Sequence, residues 1–184
     1  MKGDLAQFLE GLTPLATETA VWGNGRFPLE ITYYLSSKLP PLAYVSSVRA
    51  VVFQEGELLT VLDPNGDYYI VPGGRWEKGE SVEEALCREL LEETGWTLCD
   101  AALLSVTHFH HLAPKPDDYP YPYPDFLQLV YVATADQFIP EAIKFDHYVV
   151  ESRFWRVQEI RPLLKNQAQL ALLDAALAHF AGML

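Results

Sequence analysis

The chain has 184 residues, 49% of them hydrophobic and 21% charged, which suits one domain, with or without a small extension, burying roughly 70% of its unfolded surface. Its 13 Lys and Arg against 25 Asp and Glu give a formal net charge of −12, which argues against a generic nucleic-acid-binding face. No stretch approaches the ~18 apolar residues of a membrane span, and the start MKGDLAQFLEG lacks a signal-peptide core, so a cytoplasmic protein without a membrane partner is expected.

Residues 2–11 suit a short amphipathic helix through Leu5, Phe8 and Leu9. VWGNGRFP (21–28) is turn-rich, and KLPP (38–41) closes this lead-in, read as an N-terminal extension over residues 1–43 that packs on a domain of residues 44–184. YVSSVRAVVF (44–53) reads as a strand, QEGE as a hairpin turn and LLTVL (58–62) as its partner. DPNGD is a second turn and YYIV (68–71) a short strand. A helix is predicted over about 82–94, then strands over about 97–111 and 126–134, separated by the loop APKPDDYPYPYPD. A loop through 135–147 leads to a strand near 148–156 and a helix near 158–164. The terminal helix from about 166 carries Leu170, Leu173, Leu177 and Phe180 on one packing stripe. Strands mixed with helices of these lengths indicate a layered α/β or α+β domain. Cys87 and Cys99 are too few for a disulfide framework or a zinc site, and read as small buried thiols.

The stretch VPGGRWEKGESVEEALCRELLEETGW (71–96) concentrates carboxylates directly after a Gly-Gly turn. Ser81 followed by Glu84 makes a capping box, and Gly95 supplies a left-handed C-terminal cap. At ~100° per residue, Glu89 and Glu93 lie ~40° apart and Glu92 ~60° from Glu89, so the three share one arc. Leu86, Cys87, Leu90 and Leu91 cover the neighbouring arc, and Arg88, one turn before Glu92, can orient it by a charge-assisted hydrogen bond. Three carboxylates at the rim of a buried face make a hard-oxygen site for Mg²⁺ or Mn²⁺. Gly73 and Gly74 let backbone carbonyls or a ligand approach closely.

The alternative is a solvated acidic helix face, and spacing decides against it. Gly74, Glu80, Arg88, Glu89, Leu90, Glu92, Glu93, Gly95 and Trp96 form the string G-x5-E-x7-R-E-U-x-E-E-x-G-U, whose chance occurrence in such a chain is on the order of 10⁻⁷. This string is the Nudix box, and the chain resembles the Nudix hydrolase family. The flanking segments from 44 to 165 are similar to the strands and helix around such boxes. The resemblance implies an α/β/α sandwich with a mixed sheet between helices. It implies hydrolysis of a nucleoside diphosphate linked to another moiety, with Mg²⁺ or Mn²⁺ neutralising the oxygens on both sides of the cleaved bond. By match to the box, Glu89, Glu92 and Glu93 are the metal ligands, with the Gly73 carbonyl added. Arg88 belongs to the catalytic set as an orienting group, together with Glu80. One of the box glutamates, or a later carboxylate (Glu141, Asp146 or Glu151), would be the general base.

For the substrate, a small nucleotide or nucleotide derivative, Arg49, Arg75, Lys115 and Lys144 are candidates for phosphate contact, with structural salt-bridging the alternative for each. Tyr121 and Tyr123, on a stiff Pro-Tyr arm, are candidates for stacking on a base, with packing against the domain the alternative. His108 and His110 share a strand face without a third ligand evident in the sequence. A homodimer is compatible with the sequence. A Nudix-like sensor module and a Nudix-fold isomerase are the alternatives; a sensor need not keep all the box carboxylates, and the isomerase branch departs from this box pattern.

Overall fold

Alternating and continuous apolar runs form the sheet. The computed structural model describes residues 3–117, 119, 121–144 and 149–181. Helix α1 (Gly3–Glu10) leads into a hairpin of β1 (Pro14–Trp22) and β2 (Phe27–Leu35). Then come β3 (Val45–Gln54), β4 (Glu57–Leu62), the short β5 (Tyr68–Tyr69) and β6 (Gly73–Arg75), and helix α2 (Val82–Thr94). Two long strands, β7 (Trp96–His111) and β8 (Asp125–Phe138), precede β9 (Glu151–Arg156), α3 (Val157–Ile160) and α4 (Gln167–Ala181). The strand order is β1-β2-β7-β8-β3-β4-β5, with β6 on β3 and β9 on β4. Among the described residues only the β3–β8 pairing is parallel, so the sheet is mixed. β3 meets β4 through two residue pairs at their hairpin, while β6 takes the same edge of β3 further along.

Side chains alternate across each strand, so the sheet has two apolar faces. Val48, Ala50 and Val52 of β3 join Leu127 and Leu129 of β8 under α1 and α2. Val51 and Phe53 join Val130 and Val132 under α4. A third cluster, Leu29, Ile31, Phe109 and Phe126, extends the α4 side towards the β1–β2 hairpin. Helices therefore lie on both faces, as in the sandwich expected. Leu86 and Leu90 of α2 are almost fully buried, each burial contributing about 1.5–3 kcal/mol, which fixes the height of the carboxylate-bearing arc above the sheet. Among the described residues no helix is long and apolar enough to cross a membrane.

Two differences from the sequence reading stand out. Residues 14–35 of the lead-in are two strands of the sheet, with β2 paired along Leu29–Leu35 of its length to β7. The apolar face of α2 is centred on Val82, Ala85, Leu86 and Leu90, which turns Cys87 outward; Cys87 and Cys99 are both exposed, correcting their reading as buried thiols. Ellman's reagent should therefore titrate two thiols per chain in the native protein without denaturant. Fewer than two would show that one of them is shielded.

Candidate active site

The catalytic-looking helix is set by its ends. Ser81 Oγ accepts the Glu84 N–H at 3.1 Å while the Glu84 carboxylate accepts the Ser81 N–H at 2.7 Å, closing the capping box. Gly95 ends the helix at φ 78°, its N–H donating to the Leu91 carbonyl at 2.9 Å. Both cap assignments match the sequence reading.

Between β6 and α2, one guanidinium gathers the chain. Arg88 donates through Nε and Nη2 to both Glu80 oxygens (3.0 and 2.7 Å), through Nη1 to Glu89 (2.7 Å), and through Nη2 to the Arg75 carbonyl (3.0 Å). Glu80 also accepts the Glu77 N–H at 2.7 Å, and its backbone carbonyl accepts Trp76 Nε1–H at 2.9 Å. The Arg88 hydrogen bond holds the Glu80 carboxyl below its ordinary pKa, and the Glu80 contact raises that of Arg88. The expected Arg88–Glu92 contact is only a 3.9 Å ion pair; Glu80 and Glu89 are the principal partners because they flank the guanidinium on both edges.

Each box glutamate has its own neighbour. Glu89 lies on Arg88 and so close to Gly74 that a Cβ there would stand 2.3 Å from Glu89 Oε2. Glu92 Oε1 accepts from the Lys144 ammonium, whose backbone N–H also donates to the Glu92 carbonyl at 2.8 Å. Glu93 Oε2 accepts the N–H of Gly73. Gly73 has φ 130°, and a Cβ there would meet the Val48 carbonyl at 2.4 Å, so only glycine delivers its N–H to Glu93. The mutual repulsion expected of the three carboxylates is thus offset by separate partners.

Arg49 rises from β3 into the same region. Its Nε donates to Gln128 Oε1 at 2.9 Å and its Nη1 to the Val71 carbonyl at 3.0 Å. Burial lowers its pKa, against the opposing pull of the Glu93 and Glu89 charges, so the guanidinium stays cationic beside two box glutamates. Arg49 and Gln128 line two adjoining cavities. The first, of about 540 Å³, also touches Glu93, Glu18, Trp22 and Asn166. The second, of about 560 Å³, is walled by Gly74, Arg75, Phe109, His111, Tyr119 and Tyr121. The Arg75 guanidinium sits 4.8 Å over the Tyr121 ring. Tyr123 instead stacks on His111, centroids 4.8 Å apart.

Arg49, Arg75 and Tyr121 therefore come together around the box, while Tyr123 supports the wall through His111. Glu141 lies exposed in the short turn after β8, and Glu151 is exposed at the start of β9, 3.4 Å from Arg153 Nε. Neither is joined to a box glutamate by a hydrogen bond or ion pair among the described residues; Asp146 lies outside those residues. Sequence reasoning missed Gln128, whose only signal is a polar residue inside the apolar run FLQLVYVA, and Glu18 and Trp22 from the lead-in hairpin.

Glu80→Gln should cost about 1–3 kcal/mol near neutral pH, because a charge-assisted pair becomes a neutral contact. The folded-state pKa of Glu80 is depressed, so its contribution is complete above the ordinary value of 4.5 and is lost as pH falls through the lowered one. Urea unfolding of both proteins at pH 7 and at about pH 3 checks this, the difference shrinking in acid. An equal penalty at both pH values would assign the loss to shape instead of charge.

Comparison with known proteins follows the same lines. A family model described as the NUDIX domain matches residues 43–175. The protein YjhB of Bacillus subtilis (strain 168), provisionally named an ADP-ribose pyrophosphatase, is 33% identical over 76 residues, 41% of this chain and 36% of that one. Another Bacillus subtilis protein, provisionally named an 8-oxo-dGTP diphosphatase, is 38% identical over 64 residues, 34% of this chain and 43% of that one. The chain thus matches less than half the length of these curated relatives. Among solved structures, a NUDIX hydrolase from Nitrosomonas europaea has a TM-score of 0.56 at 24% identity, covering 74% of this chain and 89% of that one. A Bacillus subtilis pyrophosphohydrolase has a TM-score of 0.58 at 17% identity, covering 86% and 94%. These two likenesses concern the fold. With the match at 43–175 spanning well over half its length and enclosing the complete box, the chain belongs to the Nudix domain family.

Proposed function

We propose that this protein is a metal-dependent hydrolase that cleaves the diphosphate linkage of a small nucleoside-diphosphate derivative. The observation that carries the reading is the complete box on one helix, with Glu93 and Gly74 lining two adjoining cavities that share the cationic Arg49 and include an aromatic wall. The names of the two Bacillus subtilis relatives, an ADP-ribose pyrophosphatase and an 8-oxo-dGTP diphosphatase, both denote cleavage of nucleoside polyphosphate anhydrides. Residues 44–184 form the hydrolase domain in this reading, and residues 1–43 an extension that adds β1 and β2 to its sheet and lends Glu18 and Trp22 to the cavity wall.

By their chemistry the three carboxylates suit a hard divalent cation, although in this structure each faces its own partner and their oxygens do not form one cluster. Glu89, Glu92 and Glu93 offer carboxylate oxygens from one helical arc, and the Gly73 carbonyl lies on the turn that touches Glu93. Bound Mg²⁺ or Mn²⁺ would supply charge neutralisation on the diphosphate and a more acidic attacking water. Arg49, held by Gln128 and the Val71 carbonyl, presents a fixed positive charge to a phosphate oxygen. Tyr121, with Arg75 over its other surface, offers a ring for a nucleobase. A carboxylate takes the proton from the attacking water: a box glutamate, or Glu141, Asp146 or Glu151. Arg88 and Glu80 touch no reacting atom; they hold the helix and the Gly turn in register.

A mass-spectrometric panel of NDP-sugars, ADP-ribose, NADH, dinucleoside polyphosphates, coenzyme A and nucleoside triphosphates, each with Mg²⁺ or Mn²⁺, should give phosphate-containing products for at least one class. Glu93→Gln, which keeps an acceptor for the Gly73 N–H, should lose about 10²–10⁴-fold in activity while its circular dichroism stays unchanged. It should also lose most of the metal-induced stabilisation, about 2.7 kcal/mol for the wild type at 100 times the dissociation constant. Protein inert toward the whole panel yet binding a nucleotide tightly would replace this reading by that of a sensor.

Tyr121→Ala should raise KM about 5- to 150-fold with kcat little changed, the range expected for loss of one base-stacking ring. Unaltered kinetics with a lower melting temperature would make Tyr121 a packing residue.

A further inference from the structure

The face of the sheet opposite the cavities carries a group that the proposed hydrolysis does not use. His108 Nε2 lies 2.9 Å and His110 Nδ1 2.8 Å from the same oxygen, Asp125 Oδ1. One ligand atom from each of the three lies within 4.8 Å of the others, and among the described residues this is the only such group of three or more His, Cys, Asp or Glu. We propose that His108, His110 and Asp125 form a second metal site, selective for a borderline transition ion of the Zn²⁺ class and separate from the box glutamates.

The donor chemistry sets the ion class. Two imidazoles and one carboxylate suit Zn²⁺, Co²⁺ or Ni²⁺, whereas Mg²⁺ favours an all-oxygen set. Tetrahedral bonds of about 2.0–2.2 Å place ligand atoms about 3.3–3.6 Å apart. The present spacings of 2.8 and 2.9 Å bracket this range from below, and the limit of 4.8 Å from above, so sub-ångström to ångström shifts suffice. Strand register supplies that preorganisation: His108 and His110 are two apart on β7, and Asp125 is directly opposite His110 on β8. Glu30 on β2 is directly opposite His110 on its other side, giving the row Glu30, His110, Asp125 across three strands and a further acidic side chain on that face. His108 and Asp125 are buried, while the His110 side chain is 38% exposed, which leaves a way in for an ion.

The site stands back to back with the aromatic cavity. His111 and Phe126, sequence neighbours of His110 and Asp125, point to the other face and line that cavity. The His111 N–H donates to the Pro124 carbonyl at 2.9 Å, closing the base of the 112–124 segment. An ion joining β7 to β8 here clamps that base.

The test uses EDTA-stripped, dialysed full-length protein titrated with Zn²⁺ by calorimetry and with Co²⁺ by visible absorption. One equivalent should persist in the triple variant Glu89→Gln, Glu92→Gln, Glu93→Gln, with Co²⁺ bands of tetrahedral intensity. His110→Ala in that background should weaken it by at least about 100-fold, since loss of a ligand costs no less than loss of a group that merely orients one. On wild-type protein, Zn²⁺ should move the imidazole proton resonances of His108 and His110 together, a readout that needs no variant to fold. Loss of all binding in the triple variant, unchanged binding in His110→Ala, or unmoved His108 and His110 resonances would each overturn the site. None of these outcomes depends on hydrolysis, so they stand apart from the proposed activity.

Discussion

A β6 strand of three residues and a loop of six would not by themselves hold a helix at a defined height over a sheet; the Arg88 guanidinium does so. It reaches two oxygens of Glu80, one of Glu89 and the Arg75 carbonyl, so the loop, the strand and the helix meet at one planar cation. A lysine has a single ammonium and could not satisfy acceptors on both sides in fixed geometry. The placement of the carboxylates follows from that junction. With β6 fixed against β3, Gly74 passes beneath Glu89 and Gly73 delivers its N–H to Glu93, both at distances that a Cβ would forbid. Removing one member leaves its partners partly buried and unpaired, which costs more than the contact is worth when intact.

The helix and its carboxylates were legible because their determinants are local. Capping box, C-terminal glycine and charge spacing all lie within residues 74–96, and the helix occupies the span that those signals mark. Strands β1 and β2 were not, since the burial of β1 runs only between exposed and half-buried and the strand that ties β2 into the sheet, β7, is seventy or more residues away. The terminal helix shows a smaller slip: its buried line runs through Ala168, Leu172, Leu173 and Ala176, and the Leu170, Leu177 and Phe180 stripe flanks it. Cys87 illustrates the limit of a helical wheel. A shift of the buried arc by one residue, decided by where Leu86 and Leu90 meet the sheet, is enough to expose it.

Pairing across the sheet explains why the cavity-lining residues of the lead-in and of β8 are not legible in the sequence. Gln128 gains meaning only when register sets it beside Ser47 and Arg49, where its one oxygen accepts from both at 3.3 and 2.9 Å. It is a fixed acceptor that keeps the Arg49 guanidinium aimed between the two cavities. Likewise the third partner of His108 and His110 is fifteen residues beyond His110, across a proline-rich segment, and no spacing rule links them.

The period of two in a strand makes the two faces of this sheet mechanically dependent. Along β7, His108 and His110 alternate with Phe109 and His111; along β8, Asp125 precedes Phe126. Whatever holds one set therefore fixes the backbone that positions the other, with no signal needing to pass through side-chain packing. The aromatic wall depends on this more than the carboxylates do. None of Tyr119, Tyr121 and Tyr123 is paired in the sheet; Tyr119 meets His111 by a 2.9 Å hydrogen bond to its Nε2 and Tyr123 by stacking on it, while Tyr121 lies under the Arg75 guanidinium. Burial lowers the pKa of His111, with the neighbouring His110 adding to the effect, so near neutral pH it is an uncharged ring able to accept that hydrogen bond and to stack. The cavity's shape at the Tyr wall is thus set by a neutral histidine whose backbone is pinned from the opposite face, while the Glu-bearing helix is set by a charged arginine from its own side. The aromatic wall and the carboxylate-bearing helix therefore rest on different anchors, which lets one vary without disturbing the other.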